Sequence, residues 1–382
     1  MGALDVAEQA VQHELRKSAP PRRALTPRHA FTLWSGDGLV SAVEHALPLL
    51  REARPAVVQL HAGPLALADH ARAAARAVRS ALPGVALWVG VAWDGWVDEA
   101  TEGTVERLLE RVYLPAARVA LGLGAELFVI NSEAAGKLHP GEARILACAA
   151  IDAIRAECPG LALGHTAYDQ PHHHPEERDR GGRIDDDEEG YPWSAYLGGA
   201  AARAAGVRLP RTGPVDIELP QQYAAPPKPK DRPQPMAGVG SLQRRIAGSR
   251  ASFARAAALG WIDPAVPVLG YVQAHHVDAR DTACVGASQP LALWAAPTRI
   301  DADGRRALRV LCAAERRELG TDPGETDWPV IRAWAQGRVG AAGDGAWGPR
   351  STAAAATWLR ARGLDGDGRF GAELLAALQA TP

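Results

Sequence analysis

Short apolar runs recur at fairly regular intervals up to about residue 300, and alanine-rich segments whose apolar positions repeat with helical spacing lie between them. Eight of these runs read as strands: HAFTLWSGD (29–37), AVVQLHAG (56–63), VALWVGVAWDG (85–95), AELFVINSEA (125–134), LALGHTAYD (161–169), VDIELPQQY (215–223), VPVLGYVQAHH (266–276) and PLALWAAP (290–297). ALADHARAAARAVRSAL and TVERLLERVYLPAARVALGLG read as helices. Continuous apolar strands alternating with amphipathic helices predict a parallel sheet covered by helices. Eight such units predict an α/β fold, a (β/α)8 barrel over 30–320 that closes with a helix over 301–319. A doubly wound open sheet is the alternative, but no GxGxxG follows the first strand, so nucleotide binding has no local support. Residues 1–29 read as a short amphipathic helix and a Pro/Arg-rich connector.

In a barrel of this kind the chemistry is expected at the carboxyl ends of the strands. Those ends carry Trp34, Asp37, His61, Trp93, Asp94, Asn131, Glu133, His165, Tyr168, Asp169, Glu218, Gln221, Tyr223, Gln273, His275, His276 and Trp294. One Asp after a strand is an ordinary turn former or helix cap. Eight strand ends that all turn polar or aromatic together describe a polar cleft with flat apolar walls. Sugar rings suit such a cleft, because they stack on Trp and Tyr while their hydroxyls bond to Asp, Asn, Gln and His.

Glu133 is the candidate proton donor. Val129, Asn131 and Glu133 share one face by alternation, so both polar groups enter the cleft if that face lines the barrel. Glycoside cleavage commonly needs a second, ionised carboxyl group. Asp94 follows the adjacent strand and Glu218 lies two strands on, with Asp37 and Asp169 also available. If Gln221 and Tyr223 line the pocket, alternation turns Asp216 and Glu218 toward the helices unless Pro220 breaks the phase. Substrate-assisted chemistry, with an N-acetyl group as nucleophile, would dispense with the second carboxylate.

Charge narrows the partners. Lys and Arg total 42 against 44 Asp and Glu, a formal charge of -2, so no basic excess is present to neutralise a phosphate backbone and no nucleic-acid partner is expected. Cys148, Cys158, Cys284 and Cys312 lack CxxC spacing and read as small buried thiols. The loop DQPHHHPEERDRGGRIDDDEEGYPW holds three consecutive His, but adjacent side chains seldom converge on one ion. It reads as a solvated lid, the Pro-rich APPKPKDRPQP as a second rim loop, and neither a metal nor another cofactor is expected. No run reaches the ~20 apolar residues of a membrane span, and the start of the chain lacks a secretory h-region. The expectation is synthesis in the cytoplasm and action at the cell wall after lysis or another route of delivery.

The chain ends on a repeated phrase. DGAWGP opens one alanine-rich run and DGDGRFG opens another. Asp-Gly suits a tight turn, the following Gly admits an unusual backbone angle, and Ser or Thr suits a helix cap. DWPVIRAWAQG, DGAWGPRSTAAAATWLRARGL and DGDGRFGAELLAALQ thus predict a small all-α domain of three helices over 327–382, joined through DPGETD, with Trp347 or Trp358 in its core. This tail resembles the peptidoglycan-binding domain of bacterial and phage cell-wall hydrolases. Asp344, Gly345, Gly348, Pro349 and Thr352 match that family's pattern, and the third helix departs from it with Ala372, Glu373 and Leu374. The fourth strand of the barrel resembles the Asp-x-Glu of glycoside hydrolase family 25 muramidases, with Asn131 in place of the Asp. The sixth and eighth strands, VDIELPQQY and PLALWAAP, resemble those of glycoside-hydrolase-like bacterial barrels. These resemblances imply an endolysin-like glycosidase acting on peptidoglycan, with a barrel that binds glycan without cutting it, as a component of a phage or phage-like particle, as the alternative.

Overall fold

The computed structural model describes residues 25, 28–35, 38–91, 105–131, 140–167, 193–222, 239–273, 279–288, 291–294, 302–319 and 328–381. Its centre is a parallel sheet of β1 (Ala30–Ser35), β2 (Val57–Ala62), β3 (Ala86–Val91), β4 (Leu127–Asn131), β5 (Ala162–Thr166), β6 (Ile217–Glu218), β7 (Gly270–Gln273) and β8 (Leu291–Trp294). The spatial order is β6-β5-β4-β3-β2-β1-β8-β7, and bridges Glu218 to Val268 and Gln221 to Tyr271 join the two ends. The sheet is therefore closed.

The register identifies the barrel type. Ala30 faces Val57, Val57 faces Ala86, Trp88 faces Leu127 and Leu127 faces Ala162. Gly164 faces Ile217, Glu218 faces Val268, Gly270 faces Leu291 and Ala292 faces Ala30. Carried once round, these pairings return to β1 displaced by about eight residues, the shear of a (β/α)8 barrel. All eight expected strands are present, each shorter than its apolar run.

β6 is the shortest strand for a local reason. Leu219 and Gln221 donate their N–H groups to His165 and Ala167 on β5 and beyond it, while Glu218 and Gln222 donate to Pro267 and Tyr271 on the other side. Pro220 falls where the next donor toward β7 is needed and has none, although its carbonyl still accepts from Tyr271. The phase of alternation survives.

The helical layer comprises α1 (Leu39–Ala53), α2 (Pro64–Ala81), α3 (Val105–Leu108), α4 (Leu114–Gly122), α5 (Pro140–Glu157), α6 (Trp193–Leu197), α7 (Ala200–Ala204), α8 (Val239–Ala258), α9 (Ala279–Ser288) and α10 (Ala302–Glu315). α2 shows the logic. Pro64 stands at its first turn, and Leu67, Ala71, Ala74, Ala75 and Val78 form one buried stripe. The single helix expected over TVERLLERVYLPAARVALGLG is instead α3, a π-helical turn over Leu109–Tyr113, and α4. Pro115 cannot supply the regular N–H, and Leu114 bonds five residues back to Leu109 at the junction. All four cysteines are free and buried. Among the described residues no helix is long and apolar enough to cross a membrane.

The tail forms α11 (Trp328–Arg338), α12 (Pro349–Arg360) and α13 (Ala372–Ala380). Its repeat is a repeat in space. Asp344 Oδ1 accepts from the Ala346 N–H at 2.9 Å, and Asp367 Oδ1 accepts from Arg369 N–H at 2.8 Å. Gly345 and Gly368 both adopt φ +76°, and Trp347 and Phe370 pack together with ring centroids 5.0 Å apart. Two details correct the expectation. The left-handed residue is the Gly of each Asp-Gly, whereas Gly348 and Gly371 are extended helix caps without a side-chain capping bond. Ser351 does not cap; its hydroxyl accepts from the buried Gln336 amide at 2.9 Å. That amide also donates to Asp344 Oδ1 and Ala346 O, and its oxygen accepts from Gly345 N–H, so one side chain organises the turn. Trp358 is buried, as expected for the core, and Trp347 is half-buried.

Gly368→Ala tests this turn. An added Cβ would lie 2.1 Å from Thr352 O and 2.6 Å from Ala356 N, both backbone atoms of α12, and φ is already left-handed. The substitution is expected to destabilise the tail by at least about 3 kcal/mol, read as a lower denaturation midpoint, whereas Gly348→Ala meets open space and costs little.

Candidate functional site at the barrel mouth

Each strand of this barrel alternates between an interior and a helix-facing side chain. The shear displaces the register by about one residue per strand, so residues at one height come from alternate strands. Near the amino-terminal end the interior holds Val57, Leu127 and Ile217, then Ala30, Trp88, Gly164 and Leu269. Gln59, Val129, Leu219 and Ala292 follow, and above them Thr32, Gly90, Thr166 and Tyr271. The next level holds His61, Asn131, Gln221 and the strand position of Trp294. Trp34 stands at the rim, 47% exposed, and Gln273 holds the rim position on β7. The interior thus changes from fully apolar to hydrogen-bonding over its height, at the carboxyl ends of the strands.

His61, Asn131 and Gln221 are buried, polar and brought to one level by three alternate strands. Thr166 beneath them is satisfied locally, its hydroxyl donating to Leu219 O at 2.7 Å. His61 Nδ1 lies 3.1 Å from Gln59 Nε2, and Gln59 Oε1 lies 3.3 Å from Thr32 Oγ1. Burial of His61 lowers its pKa to about 4, so the ring is neutral near pH 7. At this level the described part of the mouth is an uncharged set of donors and acceptors.

His165 and Glu218 do not reach it. They are register partners with interior parity reversed, and both side chains face the helical layer, fully buried. His165 Nδ1 lies 2.6 Å from Glu218 Oε2, the ring stacks on Tyr196 of α6 at 3.9 Å, and Trp193 meets its edge at 5.8 Å. Burial drives Glu218 well above and His165 well below their ordinary pKa values. The proton accordingly belongs to the carboxyl group, which donates to Nδ1, and the pair joins β5, β6 and α6 as a neutral unit. Asp216 is likewise engaged outside the barrel, accepting from Leu163 N–H at 2.8 Å and from Arg155 at 3.2 Å.

Asp37, Trp93, Asp94, Glu133, Tyr168, Asp169, Tyr223, His275 and His276 lie outside the described residues, as do the His-rich and Pro-rich loops. The residues that strand-end reasoning passed over are Thr32, Gln59, Thr166 and Tyr271, one step further down the barrel. Their signal was parity: Thr32 and Trp34, and likewise Gln59 and His61, are polar or aromatic on one face of otherwise apolar strands.

No family model matches the chain, and no curated protein matches it. Solved structures similar to it include active domain 2 of a chitinase from Pyrococcus furiosus, studied as catalytic site mutants, at TM-score 0.43 and 13% identity, covering 79% of this chain and 99% of that one. The Bacillus cereus spore cortex-lytic enzyme SleL is similar at TM-score 0.38 and 10% identity, covering 65% of this chain and 52% of that one. A 3-dehydroquinate dehydratase from Geobacillus kaustophilus HTA426 is similar at TM-score 0.35 and 14% identity, covering 74% and 90%. This chain therefore spans about half of SleL. None of these likenesses carries weight for the chemistry.

Proposed function

We propose that this chain is a cell-wall glycan hydrolase of muramidase type, with Glu133 as proton donor and the tail as a wall-binding element. The observation that carries the proposal is the layered interior. It ends in His61, Asn131 and Gln221 below a half-exposed Trp34, which supplies hydrogen bonds for sugar hydroxyls beside a flat apolar surface. In the sequence Glu133 follows Asn131, the last residue of β4, by two, the spacing of residues that share one face of a strand. It would protonate the leaving oxygen. Asp94, past the end of β3, is the second carboxylate that this arrangement favours, because Glu218 is held on the other side of the sheet by His165. An N-acetyl group of the substrate could replace it.

The test is release of reducing ends from purified peptidoglycan by the full chain, with products identified by mass spectrometry. New reducing ends on muramic acid are the expected result, and ends on glucosamine would keep the hydrolase but overturn the muramidase type. A second proposal, glycan binding without cleavage, is favoured by one observation: the described part of the mouth at the level of His61 holds no carboxylate. Sedimentation with the wall but no cleavage of any wall polysaccharide would select it.

A further inference from the structure

Thr32, Gln59 and His61 form a buried chain on two neighbouring strands, and its protons can be counted. Thr32 and Gln59 have no exposed surface, and the Gln59 amide is the one partner of the Thr32 hydroxyl among the described residues. If the amide oxygen faces Thr32, the hydroxyl donates to it and the NH2 group donates to His61 Nδ1. Turned the other way, the amide would leave the buried Thr32 proton without an acceptor. The first arrangement satisfies the chain, and a neutral ring that accepts at Nδ1 carries its proton on Nε2.

The space for this chain is built into β3. Gly90 faces His61 in the register, and an added Cβ would lie 2.4 Å from His61 Nδ1 and 2.7 Å from Gln59 Nε2. Nδ1 is engaged by Gln59, one interior step back along β2, which leaves Nε2 as the ring nitrogen to meet a ligand at the mouth. Of the described residues in this level and the one beneath it, Tyr271 is the only other ionisable one; Asp94 and Glu133 follow the ends of β3 and β4.

We propose that Thr32 and Gln59 are positioning residues that hold His61 as an uncharged donor, with its Nε2–H reserved for a neutral oxygen acceptor of the ligand, a sugar hydroxyl or acetamido carbonyl. The choice of ligand rests on the glycan proposal above; the proton arrangement stands without it. Specificity follows from the geometry. A fixed donor favours a hydroxyl or amide oxygen and rejects an ammonium group at the same place.

Imidazole nitrogen NMR on the full chain labelled at histidine tests it, with His61 assigned by the loss of its signals in His61→Asn. The wild type is expected to show the Nε2–H pattern at pH 7 and no titration down to pH 5, consistent with the lowering caused by burial. Gln59→Glu places a carboxylate against Nδ1, and the His61 midpoint is expected to rise by roughly 2 pH units. An N-acetylglucosamine tetrasaccharide should shift the wild-type Nε2 signal with the same affinity at pH 5 and pH 7. In Gln59→Glu that affinity should change with pH as the ring gains charge. A wild-type Nδ1–H pattern, or a midpoint near 6.5, overturns the relay whatever the sugar does. An Nε2–H pattern that no glycan perturbs overturns the ligand assignment and counts against the glycan proposal, while the relay is upheld. The wild-type spectrum decides the first point even if Gln59→Glu does not fold.

Discussion

Glu133→Gln is expected to lower the release of reducing ends from peptidoglycan by roughly 10³-fold while leaving the fold and wall sedimentation unchanged. In β4 both Val129 and Asn131 are interior, the first apolar and the second at the polar level. By two-residue alternation in the sequence Glu133 shares the face of Asn131, and the proposal makes it the group that protonates the leaving oxygen. Glutamine keeps the size and hydrogen-bonding capacity of the side chain but has no proton to transfer. The described groups at the Asn131 level, neutral His61 and the amides of Asn131 and Gln221, are poor substitutes, because none is an acid near neutral pH. Asp94→Asn in parallel separates the two carboxyl groups: loss in both variants supports a pair, and loss in Glu133→Gln alone supports substrate-assisted chemistry. Undiminished cleavage by Glu133→Gln would remove that residue from the mechanism.

Removal of residues 328–382 is expected to lower the melting temperature of the barrel by about 10 °C, as well as reducing wall sedimentation. Read as a linker, DPGETD implies a barrel that stands alone. The packing of α11 changes that expectation. α11 lies chiefly against α9 and α10, more extensively than against the other tail helices. Val330, Ile331, Ala333, Ala335 and Gln336 are all buried, so the helix is covered on both sides. Burying one Val or Ile is worth about 1.5–3 kcal/mol. Gln243 of α8 adds a hydrogen bond to Gly343 O at 2.7 Å. A shorter truncation, lacking only residues 345–382, retains α11 and should cost much less. Calorimetric melts of the two fragments distinguish these cases; equal melting temperatures for the full chain and the longer truncation would show that α11 contributes nothing to the barrel.

Much of the architecture was legible along the chain because it rests on local periodicity. Eight apolar runs became eight strands, and Asp344-Gly345 and Asp367-Gly368 became paired turns, since a two-residue alternation, a helical stripe and an Asp-Gly turn are each specified within a few residues. Parity also carried the orientation of Glu218, which alternation turned toward the helices and the structure places there. Long-range geometry supplied the rest. The π-turn before Pro115 and the absence of Ser or Thr capping depend on how neighbouring segments compete for the same donors. His61, Asn131 and Gln221 are 160 residues apart from first to last, and a common level for them emerges only when the shear of the closed sheet aligns alternate strands. His165 looked like a mouth residue at a strand end, yet the ring faces outward because its partner Glu218 and the stacking ring of Tyr196 come from later segments that the barrel folds against it. Local chemistry selects an element and its two faces; closure of the barrel assigns one face to the interior and determines which distant side chains meet there.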